Sequence, residues 1–244
     1  MRVPRIFTPS ALSVGQQHEL DETAANHVVR VLRMQAGQPL ILFNGDGHDY
    51  AAVLDKVGKR DASVRIDSAV PIASESPLHI TLGQVISKGD RMDYAVQKSV
   101  EMGVSAIVPL VSERCDVRLK GDREDKRVRH WQQVASSAAE QCGRARVPDI
   151  AAIENLTDWL HQLPEHDLGL VLHHRATQSL TSLPRPGRLI ILIGPEGGLT
   201  DAEIEAAEAA GFMATTLGPR VLRTETAPIA AMAVCQWLWG DFNT

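Results

Sequence analysis

Three stretches of this sequence place chemically able residues directly after apolar runs. Leu172-His173-His174-Arg175-Ala176 follows Leu168–Leu172. Ile193-Gly194-Pro195-Glu196-Gly197-Gly198-Leu199-Thr200 follows Arg188–Ile193. The third runs from Leu217 through Gly218-Pro219-Arg220-Val221-Leu222-Arg223-Thr224-Glu225-Thr226 to Ala227. In it Arg220, Arg223 and Glu225 stand within six residues, beside Thr224 and Thr226. A guanidinium binds or polarises anionic oxygens, and a neighbouring carboxylate can orient it or accept a proton. A solvated ion pair is the plainer reading of an isolated Arg-x-Glu. The glycine loop on the preceding strand end weighs against it. Gly194, Gly197 and Gly198 permit positive φ and close backbone approach to a ligand. Pro195 restricts Gly194 and removes a donor. Such a loop offers backbone groups, which suits a neutral heterocycle such as adenine. Taken alone, it also reads as a strand-to-helix turn closed by a capping box. It is neither a P-loop nor a dinucleotide fingerprint, because Gly-Lys-Ser/Thr and Gly-x-Gly-x-x-Gly are both absent.

Other polar groupings point less sharply. Arg114, Arg118, Lys120, Arg123, Lys126, Arg127 and Arg129 are interleaved with Glu113, Asp116, Asp122, Glu124 and Asp125. This reads first as a mixed solvated face, and more sharply as an RNA phosphate contact. His173-His174 alternates across a strand end and has no metal-ligand spacing, so no metal is expected. Arg30 and Arg33 lie on a helix and are open to solvent or to RNA.

These residues need a scaffold, and the hydrophobic pattern supplies one. Up to about residue 72 the chain reads as β-rich. Leu40–Phe43, His48–Leu54 and Ala62–Ala69 are strands, the Asn44-Gly45-Asp46-Gly47 turn joins the first two, and one helix spans 21–34. Pro71–Pro77 reads as a linker, which sets domains of 1–72 and 73–244. Beyond it strands alternate with helices. Strands are expected over 78–85, 104–111, 168–172, 188–193 and 212–217. Helices are expected over 90–102, 124–142, 200–210 and 224–239. Continuous apolar strands alternating with helices predict an α/β fold with a parallel sheet. Ligands of such sheets sit outside the carboxyl ends of the strands, where the three stretches fall.

Composition is that of a globular chain, with 44% hydrophobic and 23% charged residues and a net charge of −5. The net charge gives no sign of nucleic-acid binding, although a local basic surface remains open. The opening MRVPRIFTPS has no apolar core of a signal peptide, and no run is long enough to span a membrane. Three cysteines without paired spacing read as reduced thiols, and the chain is expected in the cytoplasm.

An ordered set of motifs runs nearly end to end. It comprises His27-Val28-Val29-Arg30-Val31-Leu32-Arg33-Met34, Lys88-Gly89-Asp90-Arg91-Met92 and Gln97-Lys98-Ser99-Val100-Glu101-Met102-Gly103-Val104. Ser112-Glu113-Arg114-Cys115, Glu140-Gln141-Cys142-Gly143-Arg144 and Val147-Pro148 follow, then Ile193–Leu199 and Leu217–Thr226. In these the chain resembles the bacterial 16S rRNA uridine N3-methyltransferases, the RsmE type of the SPOUT superfamily. The resemblance implies an N-terminal PUA-like β-barrel for RNA and a C-terminal trefoil-knotted methyltransferase domain. It also implies a homodimer acting on the small ribosomal subunit, with neither metal nor membrane involved. S-adenosyl-L-methionine is the implied cofactor, held mainly by backbone groups of the three loops. The residues this assigns to the cofactor are Leu172, His173, Ile193, Gly194, Glu196, Gly197, Gly198, Leu217, Gly218, Leu222, Thr224 and Thr226. Arg30, Arg33, Arg114 and Arg118 are assigned to RNA. Arg223 is expected to stabilise the anion that develops on uracil, and Glu225 to orient Arg223 or take a proton. One departure stands at His173-His174-Arg175, where the family pattern has a proline after the first histidine. Two alternatives stay open: a non-catalytic RNA-binding protein with a decayed pocket, and a SPOUT methyltransferase for another nucleotide.

Overall fold

The structure, a computed structural model, describes residues 3–173, 176, 180 and 183–243. The described residues form two compact units. One contains the chain up to Glu75 together with Ala139–Val147, and the other contains Ser76–Ala138 and the chain from Pro148 onward.

The first unit is built on a five-stranded sheet. Its strands are β1 (Arg5–Phe7), β2 (Gln17–Glu19), β3 (Pro39–Phe43), β4 (His48–Val57) and β5 (Ala62–Pro71), in the order β1-β3-β4-β5-β2. Only the β1–β3 pair is parallel. Alternate residues of the long strands turn inward, so Tyr50, Ala52 and Leu54 of β4 and Val64 and Ile66 of β5 are buried. The predicted turn between β3 and β4 is present, with Gly45 and Gly47 at φ of 95° and 91°. Helix α1 (Glu22–Asn26) is opened by Asp21, whose carboxylate accepts from the amides of Thr23 and Ala24. It runs on as one π-helical turn, His27–Val31, and ends at Arg33, which has φ of 52°. The short strands β1 and β2 escape a periodicity reading, because three residues are too few to show one.

The segment read as a linker is held in place. Pro71 closes β5, and the Glu75 carboxylate accepts from the Arg144 guanidinium at 3.2 Å through Nε. Arg5 ties the same unit together. It pairs with Asp49 and donates to the carbonyls of Ala139 at 3.2 Å and Arg144 at 3.1 Å. Glu140 accepts from the Phe7 amide at 3.0 Å. Burial pushes the Glu140 carboxyl above its usual range, against the opposing pull of that amide, His27 and Arg5.

Among the described residues of the second unit every strand pairing is parallel. In chain order the elements are β6 (His79–Val85), α2 (Asp90–Glu101), β7 (Ala106–Val111), α3 (Asp122–Cys142, of which the part from Ala139 counts with the first unit), β8 (Asp149–Ile150), β9 (Glu154–Asn155), α4 (Leu156–His161), β10 (Leu168–Leu172), β11 (Arg188–Ile193), α5 (Asp201–Ala209), β12 (Phe212–Thr215) and α6 (Ala227–Trp239). The sheet order is β12-β10-β11-β6-β7-β8, with β9 also on β7. Leu189, Ile190, Ile191, Leu192 and Ile193 are all buried, as a strand covered on both faces requires. The predicted small face of α3, Ala135, Ala138 and Ala139, is buried too. The capping box of α5 is complete: Thr200 Oγ1 accepts from the Glu203 amide, and Glu203 accepts from the Thr200 amide. α6 starts three residues later than the expected Thr224. Pro228 sits in its first turn, where a missing amide costs nothing, so the helix cannot extend further back through it.

Candidate active site

Because the strands are parallel, the carboxyl ends of β10, β11 and β12 share one edge of the sheet. A cavity of about 540 Å³ opens there. Its walls contain Leu172 and His173 after β10, Ile193 through Leu199 after β11, and Thr215–Leu217 with Arg220–Glu225 after β12. Described residues of all three stretches that the sequence singled out therefore converge on one space. The His173 amide donates to Thr215 O at 2.9 Å, which ties two of these ends together.

The glycine loop is a tight turn. The Gly198 amide donates to Pro195 O at 2.9 Å, with Gly198 at φ of 70°. Gly194 serves differently from the expected positive φ. A Cβ there would lie 3.0 Å from Leu199 Cγ and 3.2 Å from its amide nitrogen, so the glycine permits the loop to fold back on itself. Side chains from elsewhere hold the loop. Arg114 Nη1 donates to Gly197 O at 3.3 Å and Leu199 O at 3.4 Å. Glu196 accepts from Arg91 Nη1 at 2.8 Å and from the Lys88 amide at 3.1 Å. Burial alone would raise the Glu196 carboxyl, but these donors outweigh it and hold it below the ordinary carboxylate range.

The segment after β12 is held from beneath. Thr224 is buried, and its hydroxyl donates to Gly194 O at 2.9 Å. The Arg223 carbonyl accepts from the amides of Thr226 and Ala227, both at 2.9 Å. This fixes the Arg223 backbone while its side chain stays exposed on the cavity wall. Glu225 is half-buried on the same wall, and among the described residues no ion pair joins it to Arg223. The cavity carries Arg91, Arg114, Arg220 and Arg223 against Glu196 and Glu225, a locally positive surface on a chain of net charge −5.

Of the sequence-predicted cofactor residues, Leu172, His173, Ile193, Gly194, Glu196, Gly197, Gly198, Leu217, Leu222 and Thr224 line the cavity, as do Arg223, Glu225 and Arg114. Gly218 and Thr226 do not. Gly218 lines a separate apolar groove, and Thr226 is the residue before α6, with no side-chain cap. Arg118 is exposed on the β7–α3 connection, and Arg30 and Arg33 belong to the first unit. Sequence reasoning gave no role to Arg91 or to the threonines 215 and 216. Arg91 had a signal, since it lies in the Lys88–Met92 motif at the start of α2. His174 and Arg175, which carried the metal question and the departure from the family pattern, lie outside the described residues. Among the described residues no His, Cys, Asp and Glu cluster is able to hold a metal, and no helix is long and apolar enough to cross a membrane.

Known proteins match this chain over its whole length. An RNA methyltransferase domain family matches residues 74–236, and an RNA methyltransferase PUA domain family matches 20–67. Ribosomal RNA small subunit methyltransferase E of Buchnera aphidicola (Acyrthosiphon pisum strain) is 34% identical over 99% of this chain and 96% of its own. Its counterpart in Bacillus subtilis is 30% identical over 87% and 86%. The crystal structure of ribosomal RNA small subunit methyltransferase E from Neisseria gonorrhoeae bound to S-adenosyl methionine superposes with a TM-score of 0.92. It is 43% identical and covers 99% of this chain and 100% of that one. A Legionella pneumophila protein solved with the cofactor SAM superposes at 0.96, with 41% identity over 99% and 100%.

Proposed function

Because the chain belongs to the ribosomal RNA small subunit methyltransferase E family, we propose that it methylates N3 of a specific uridine in 16S rRNA, using S-adenosyl-L-methionine. The observation that carries this reading is the convergence of a backbone-lined glycine loop with an exposed arginine and a carboxylate on one cavity. The cavity fits the cofactor. Its volume suits a nucleoside-sized ligand, Leu172, Ile193, Leu217 and Leu222 offer apolar walls, and the loops present backbone groups to a heterocycle. When bound, the cofactor supplies an electrophilic methyl group.

The chain's own residues do the rest. Uracil N3 attacks only as its proton leaves, and negative charge then spreads onto the ring oxygens. Arg223, fixed at its backbone and aimed from the wall, stabilises that charge. Glu225 stands on the same wall unpaired with Arg223, which favours proton acceptance over orientation of the guanidinium. Glu196, clasped by Arg91 and the Lys88 amide, keeps the glycine loop in place, so that the loop would hold the cofactor beside the target base. The family resemblance also implies a trefoil knot in this domain.

The first unit serves as the RNA-binding domain. Arg30 and Arg33 are exposed there and have no carboxylate partner among the described residues, which suits them to phosphate contacts. In the second unit Arg114 and Arg118 are the residues assigned to RNA. The protein acts in the cytoplasm as a homodimer. What supports the dimer is α6, where Trp237 is 60% exposed beside Val234, Leu217 and Phe242 in an apolar groove. Light scattering at micromolar concentration tests the assembly. The reaction is tested by incubating pure protein, cofactor and small-subunit RNA and mapping the modified nucleoside. N3-methyluridine at one position is expected. A methylated guanosine or ribose overturns the assignment, and RNA binding without methyl transfer points to a decayed site.

A further inference from the structure

One hydroxyl joins two of the strand ends that build the site to the end of β6 beside them. Thr224 Oγ1 has a single proton, and it goes to Gly194 O at 2.9 Å. The same oxygen therefore accepts from Gln84 Nε2 at 3.2 Å and from Ser87 Oγ at 3.3 Å. Gln84 and Ser87 come from the end of β6 and the turn after it, Gly194 from the glycine loop, and Thr224 from the segment beside Arg223.

Gln84 is the unexpected member. It is fully buried in the middle of the sheet, level with Ile193 on one side and Pro109 on the other. An apolar residue is the natural occupant of that position. The amide nitrogen donates to Val85 O at 3.0 Å and to Thr224, but the amide oxygen is buried with no hydrogen-bond partner among the described residues. Burying an unpaired carbonyl is unfavourable, so stability alone does not explain a glutamine here. Its two donated hydrogen bonds do. They pass the rigidity of the central strand to the residue next to Arg223.

We propose that Gln84 and Ser87 are positioning residues for methyl transfer, acting through the Thr224 hydroxyl to hold Arg223 against the target base. This rests on the reading of Arg223 as the anion-stabilising group. Neither residue lines the cavity, so neither touches the cofactor or the base. The role concerns geometry: a misplacement of about 1 Å at a reacting centre costs roughly 100-fold in rate.

The test is single-turnover methylation at saturating cofactor, with cofactor affinity measured by calorimetry. Gln84→Met and Ser87→Ala are expected to slow the reaction roughly 10- to 100-fold, with cofactor affinity nearly unchanged. Thr224→Val is expected to lose as much, and Thr224→Ser, which keeps the hydroxyl, to recover most of it. In an Arg223→Ala background, Gln84→Met and Ser87→Ala should cost almost nothing further, because their effect passes through Arg223. Equal losses in both backgrounds overturn the proposal, as do wild-type rates in the single variants. An Arg223→Ala enzyme at wild-type rate refutes the role of Arg223 itself. A slow Arg223→Ala enzyme beside a fast Gln84→Met enzyme refutes only the positioning. Should Gln84→Met fail to fold, Ser87→Ala removes one donor with little change of volume and carries the same test.

Discussion

The glycine loop after β11 and the segment after β12 face each other across one cavity, yet they are built in opposite ways. The glycine loop shows the cavity mostly backbone, and side chains from other elements hold it: Arg114 on its carbonyls, Arg91 on Glu196. The segment after β12 is held at its backbone and by the buried Thr224, and it leaves Arg220 and Arg223 exposed. One half is shaped to receive a ligand by close approach. The other is shaped to present charge. The contrast divides the work, with binding on the first loop and chemistry on the second.

The sharpest way to break that division is Arg223→Ala. The single-turnover rate should fall about 100- to 1,000-fold, the usual cost of losing one preorganised donor to a developing oxyanion. Cofactor affinity should hardly change. Arg223→Lys should recover only part, since an ammonium lacks the planar fork. Glu225→Gln should be as damaging as Arg223→Ala if the carboxylate takes the proton, and milder if it only orients.

Gly194→Val tests the other half. Its Cβ would press on Leu199, so the loop must open. Cofactor affinity should drop by about 5- to 30-fold, the size of a strained contact of about 1–2 kcal/mol, in a protein that stays folded. Unchanged calorimetric affinity would remove binding from this loop.

A smaller effect is expected at the clasp. Arg91→Ala should weaken cofactor binding about fivefold, the upper range for a partly exposed ion pair. The Glu196 carboxyl is held below its ordinary range, so its contribution is present at neutral pH and lost only as pH falls through the lowered value. Affinity measured from neutral to acid pH should therefore be flat and then fall. Glu196→Gln should lower the plateau and flatten that decline.

The smallest expected effect lies outside the site. Arg33 occupies the left-handed region at φ of 52°, where a non-glycine residue costs about 1–2 kcal/mol. Arg33→Gly should therefore raise the melting temperature by a few degrees while weakening RNA binding and its salt dependence. A variant that is more stable and binds RNA as well would free Arg33 of that role.

Much of this was legible in the chain itself. Continuous apolar runs such as Arg188–Ile193 and the capping box at Thr200 are local signals, and both elements appear where expected. The strand ends at Leu172 and Ile193 fall where expected too, while β12 closes at Thr215, two residues before the expected Leu217. What was missed depends on residues far apart in sequence. The Arg91–Glu196 pair spans 105 positions, and the Gln84–Thr224 bond spans 140. The place of Ala139–Val147 in the first unit hangs on Arg5, which reaches carbonyls 134 and 139 residues away.

Periodicity and turn chemistry thus determined the longer elements, their alternation and the edge of the sheet where a ligand belongs, because backbone preference and burial act over a few residues. Only the tertiary structure decided which side chains hold the loops, which arginines are left exposed, and why a glutamine stands inside the sheet. A hydrogen bond or ion pair depends on the meeting of two distant groups. That meeting exists only once parallel strands remote in the chain lie side by side.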